Sequence, residues 1–204
     1  MAPNLFLFFV IVIAAASVAV GVARNRTFRR KELLHQRLAR QLGIKVAYQS
    51  ERDFDLFGTY QGYPLRIEAV TLHPDRPGAS PLLVVKASMP MVNPNLKSLR
   101  IAREQDEFPR LNRYRKLDRP IHLDHGIAPW LEITTNDPMF SGLILSEDVK
   151  ISLFEAFNPL ETGLVYLQDE ELSFMMPYLL ITEERVNQCI RMVDLLVEIK
   201  NQLN

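Results

Sequence analysis

Apolar and polar positions divide the chain into three parts. From Asn4 to Ala23 it reads NLFLFFVIVIAAASVAVGVA, with no charged side chain. A helix of that length rises about 30 Å, the thickness of a bilayer's hydrocarbon core. The pattern therefore predicts a single transmembrane anchor over 4–23, behind a short tail at 1–3. A cleaved secretory signal would need a positively charged start, and Met1 to Asn4 carry no side-chain charge.

Beyond Ala23 the period changes. Leu34, Leu38 and Leu42 recur every four residues, Leu33 joins them, and arginines take the other faces. This predicts a basic amphipathic helix over 24–43, stopped by Gly43. No proline marks whether it is continuous with the anchor.

From residue 44 onward the pattern is that of a mixed domain. Strands are expected over Ile44–Tyr48, Asp55–Tyr60, Tyr63–Val70, Leu82–Ala87 and Leu96–Ala102, with Gly62 supplying the positive φ of a hairpin turn. Pro64 cannot donate to a ladder, which points to an edge strand. Residues 103–129 are polar and broken by prolines, so they read as a long loop. Strands resume at Trp130–Thr135 and Phe140–Leu145. Ser146 caps a short helix to about Phe157, Leu164–Gln168 and Leu172–Met176 form a second hairpin, and Thr182 caps a final helix to Leu203. Val186, Cys189, Ile190, Val193, Leu196, Val197 and Leu203 share one stripe of that helix. The expected fold is α+β: an N-terminal transmembrane helix, then a mostly antiparallel sheet domain over 44–204 with a short helix and a long C-terminal amphipathic helix.

Charge adds a direction. Residues 24–45 hold eight Lys or Arg against one acid, Glu32, a local +7, while the other 16 bases face 23 acids, −7. Arg24, Arg26, Arg29, Arg30, Lys31, Arg37 and Arg40 all follow the apolar segment and none precedes it. Positive flanks stay inside, so the expected topology is single-pass, N-terminus outside and domain cytoplasmic, as in a bacterial inner membrane. The same arm is attracted to anionic lipid headgroups by about 1 kcal/mol per nearby charge. A basic run against a bilayer, followed by an acidic domain, argues against nucleic acid. In the apolar segment Ala15, Ala19 and Ala23, and Ser17 with Gly21, recur every four residues. Such small-residue strips let a second helix approach closely, as in a homo-oligomer or beside a larger membrane protein.

Reactive groups are few. His122, Asp124 and His125 place two imidazoles and a carboxylate within four residues, the side chains that bind zinc or nickel, yet no HExxH or CxxC accompanies them. The simpler reading is a solvated turn, and no metal or cofactor is assigned. Cys189 lies on an apolar stripe, where a thiol is buried and inert. Asp137 stands before a proline, a turn position where a carboxylate caps backbone amides. No P-loop, nucleophile elbow or dinucleotide fingerprint occurs.

The order of a GTYQGYPLRIE hairpin, a TNDPMFSGLILS turn and strand, a short helix, an LVYLQDEELSFMM hairpin and a closing helix resembles uncharacterised bacterial membrane-associated α+β domains. The resemblance implies a bacterial origin and that fold, with no activity attached. The expected function is a membrane-anchored, non-catalytic interaction or accessory domain. The alternative is a small-ligand or enzymatic domain whose pocket gathers His122, Asp124, His125 or Asp137.

Overall fold

A computed structural model describes residues 3–50, 53–73, 80–92, 97–103, 117, 120–123, 126–137, 146–158, 163–178 and 182–203. Helix α1 runs unbroken from Pro3 to Gln41, so the apolar segment and the basic helix are one 39-residue rod. It ends where Gly43 takes φ +64°. The Gly43 amide donates to Arg40 and the Ile44 amide to Ala39, the paired bonds of a Schellman stop.

Strands β1 (Lys45–Gln49), β2 (Phe54–Tyr60), β3 (Tyr63–Leu72) and β4 (Leu82–Pro90) form an antiparallel meander. The second half comprises β5 (Leu99–Arg103), β6 (Ile121–His122), β7 (Leu131–Thr135), helix α2 (Glu147–Phe157), the hairpin β8 (Gly163–Gln168) and β9 (Glu171–Pro177), and helix α3 (Glu183–Leu203). The described strands make one sheet in the order β1-β2-β3-β4-β9-β8-β5-β7-β6. The β2–β3 turn has positive φ at both Gln61 and Gly62, the requirement of a type I′ turn. Ser146 and Thr182 accept amides three residues on, Val149 and Arg185, and so cap α2 and α3 as expected.

One sheet face is apolar and covered. Leu56, Ile67, Val85, Ala87, Ile101, Ile133, Val165, Phe174 and Met176 pack under Leu34, Leu38 and Leu42 of α1, Leu153 and Phe157 of α2, and Val186, Cys189, Met192, Val193 and Leu196 of α3. Tyr60 Oη donates to Asp194 at 2.7 Å and Tyr63 Oη to Asn201 at 2.5 Å, which fixes α3 to the β2–β3 turn.

Three expectations are corrected. Among the described residues no helix is long and apolar enough to cross a membrane. This overturns the transmembrane anchor over 4–23, and with it the single-pass topology and the inner-membrane placement with a cytoplasmic domain. Second, β3 is an inner strand. Pro64 is tolerated because it pairs only with Thr59 of β2, the β4 ladder beginning two residues later at Arg66. Third, the 103–129 segment contributes β6, and Arg103 belongs to β5. The strand expected at Phe140–Leu145 lies outside the described residues.

Gly58 shows how closely β2 meets the end of α1. A Cβ built there would stand 2.8 Å from Ile44 Cγ2 and 3.0 Å from the Ile44 backbone. Gly58→Ala should therefore destabilise the fold by about 1–3 kcal/mol, measured by urea unfolding; an unchanged midpoint would show that β1 shifts freely.

Candidate functional site

The second sheet face is polar at its centre, and cross-strand register builds it. Residues directly opposite one another on paired strands project to the same face. Arg66 pairs with Ser88, Ser88 with Ser173, Ser173 with Tyr166, Tyr166 with Arg100, Arg100 with Thr134, and Thr134 with His122. Seven neighbouring strands thus contribute one polar residue each to a single transverse row. Ser173, Tyr166, Arg100 and Thr134 are buried, while Arg66 and His122 stand exposed at the ends.

Charge along the row is matched locally. Arg66 holds Asp55 through two bonds of 3.0 and 2.9 Å and lies 3.1 Å from Glu68. Lys86 is 2.8 Å from Glu171, whose Oε1 also accepts from Tyr166 Oη at 2.8 Å. Burial pushes the Glu171 carboxyl up, but Lys86, Ser173 and Tyr166 outweigh it and hold the group below its ordinary value. Arg100 Nη1 donates to Glu132 Oε2 at 2.7 Å, and His122 Nδ1 lies 3.5 Å from Glu132 Oε1. Arg100, Leu117, Pro120, His122, Glu132 and Thr134 enclose a cleft of about 160 Å³. This arrangement can hold a polar group against Glu132 and His122, and its described residues include no activated nucleophile.

His122 is thus at the rim of a cleft, three-fifths exposed, with Glu132 beside it. Asp124 and His125 lie outside the described residues, and no metal-binding cluster occurs among those described. Asp137 is not in this cleft: its carboxylate lies 3.3 Å from Lys97, and its amide donates to Thr135 Oγ1. Cys189 is fully buried, and burial pushes its thiol up to about 12, the inert state expected of it. In the basic arm Arg24, Arg26, Arg29, Arg30 and Arg40 are exposed, Lys31 and Arg37 half-buried, and Arg37 pairs with Glu183 at 2.5 Å. Ser17, Ala19, Gly21 and Ala23 are exposed on α1; the Ala15 side chain is outside the description.

No protein-family model matches this chain, and no curated protein does. Among solved structures it is similar to the crystal structure of the mycobacterial trehalose monomycolate transport factor A, TtfA, with a TM-score of 0.52 and 11% identity over 87% of this chain and 94% of that one. At that identity the likeness is one of fold. It agrees with the expected α+β fold.

Two groups went unnoticed in the sequence. Arg103 donates to the carbonyls of Phe157 and Asn158 at the end of α2, at 2.9 and 2.8 Å, and stacks 4.4 Å from the Trp130 ring, a cation at a helix C-terminus. His35 is fully buried on α1, stacked on Phe54 at 4.3 Å with its Nδ1 3.0 Å from Gln49 Nε2. The signal for His35 was its place in the period of Leu34, Leu38 and Leu42.

Arg100→Met removes one partner of a largely buried ion pair and should cost about 3 kcal/mol. Part of that should return when Glu132→Gln is added, giving a coupling above about 0.5 kcal/mol in a double-mutant cycle by urea unfolding. Cys189 should resist alkylation at pH 8 until the chain unfolds; modification at the rate of a free thiol would contradict its burial.

Proposed function

We propose that this protein is a non-catalytic interaction or accessory domain, and that the N-terminal part of α1 is the element by which it engages a helical partner protein. The observation that carries this reading is the exposure of that rod. Val12, Ile13, Val18, Val20 and Val22 are all solvent-exposed, at 46 to 67%, and the body covers none of them. An apolar surface of this kind is characteristic of an interaction site.

The chemistry of the rod favours packing against another helix. Ser17 Oγ donates to the Ile13 carbonyl at 2.8 Å and Thr27 Oγ1 to Ala23 at 3.0 Å, so these hydroxyls already have partners when the surface is covered. A Cβ added at Gly21 would meet nothing within 4 Å, which leaves room for close approach beside Ser17. The likeness in fold to a protein described as a transport factor is in keeping with an accessory role. A small-ligand function is the second reading, favoured by the cleft over Arg100, Glu132 and His122.

Photo-crosslinkers placed singly along α1 of the full chain, in cells, test the proposal. A discrete adduct of fixed mass is expected from positions on the Ser17 and Gly21 face, and Gly21→Leu should abolish it by filling the approach. Adducts from every face alike, or none from α1 while positions around the Arg100 cleft give them, would overturn the reading.

A further inference from the structure

We infer that His35 is an acid-sensitive latch: when its ring takes up a proton, residues 31–42 of α1 loosen from the sheet while the rest of the core stays closed. The inference does not depend on what α1 binds.

The pocket is built for a neutral ring. His35 has no exposed surface, and its face lies 4.3 Å from Phe54, inclined by 23°. Gln49 presents its amide nitrogen, a donor, to Nδ1 at 3.0 Å, which makes Nδ1 the acceptor and places the single ring proton on Nε2. Nε2 itself has no hydrogen-bond partner among the described residues. An imidazolium donates from both nitrogens. Here one nitrogen would face a donor until the Gln49 amide turned over, and the other would remain unmatched in a buried site.

The charged and titratable groups around the ring come from each element that packs on it. Lys31, one turn earlier on α1, lies 5.3 Å over the Tyr178 ring and opposes a second positive charge. Gln49 of β1 is neutral. Asp53, just before β2, acts on the Tyr178 hydroxyl, which is raised first by burial and then by that carboxylate. Tyr178, after β9, is tilted against the imidazole at 6.5 Å. Burial first, and Lys31 second, lower the His35 pKa to about 4, against about 6.5 when released. Docking is therefore fully stable above pH 6.5 and weakens as the pH falls toward 4.

The apolar remainder of the contact, Leu38, Ala39 and Leu42, carries no titratable group. The Arg37–Glu183 pair to α3 lies at the exposed rim of the seat, so among the described buried groups of the seat acid acts at His35. At pH 5 the open fraction of this segment should rise about 30-fold over pH 7.5.

Hydrogen–deuterium exchange on the full chain, corrected for the intrinsic rate at each pH, reads this directly. The expected result is a loss of protection of that order at pH 5 in residues 34–42, with α3 still protected. His35→Phe, which keeps an aromatic ring on Phe54, should remove the acid response. Gln49→Glu, which sets a carboxylate against Nδ1, should raise the His35 pKa in an NMR titration and suppress or reverse the response. Unchanged protection at pH 5, loss shared equally by α3, or a full response in both variants would overturn the latch. Should His35→Phe fail to fold, the His35 titration and Gln49→Glu decide it alone.

Discussion

The fold depends on the antiparallel pairing of β4 with β9. It joins the N-terminal meander to the strands of the second half, with Val84 opposite Pro177 and Pro90 opposite Glu171 at its ends. Because side chains alternate across a strand, a slip of one residue would turn every group over. Val85, Ala87 and Met89 would leave the helix-covered face, and Lys86 and Ser88 would enter it. The same register that closes the core therefore lines up the polar row, so core and row are two results of one alignment.

That row resolves a conflict any two-faced sheet meets. Its apolar side is sealed by α1, α2 and α3, but several residues of the other side are buried as well, including a full arginine. Burying such groups is costly unless they find partners. Arg100 finds Glu132, and Tyr166 finds Glu171, which also holds Lys86, on short paths between adjacent strands, while Arg66 at the exposed end holds Asp55 and Glu68. A closely matched set of this kind favours one strand order over others, since exchanging two strands would leave charges facing apolar neighbours.

Much of this was legible in the chain. The two hairpins, the caps at Ser146 and Thr182, the Gly43 stop and the apolar stripe of α3 announce themselves locally, because turns and caps use few residues at fixed offsets. Strand pairing is not local. Lys86 and Glu171 are far apart in the chain, and nothing near either reveals the other. The row was visible only as unexplained polar residues inside strands, such as Arg100 and Tyr166. His122 was noticed for its neighbours Asp124 and His125, whereas its described partner, Glu132, comes from the next strand in the sheet. The transmembrane expectation rested on length and apolarity over 4–23, and the described part of α1 does not meet that criterion.

The continuity of α1 has a mechanical consequence. With no break between Pro3 and Gln41, the helix is a stiff lever whose short end is seated on the sheet from Leu34 onward. From there to Pro3 the long end extends about 46 Å. A tilt of about 10° at the seat, small enough to come from repacking a single ring, would carry the far tip through about 8 Å. A small change of angle at the seat would thus be multiplied at the far tip by the length of one helix.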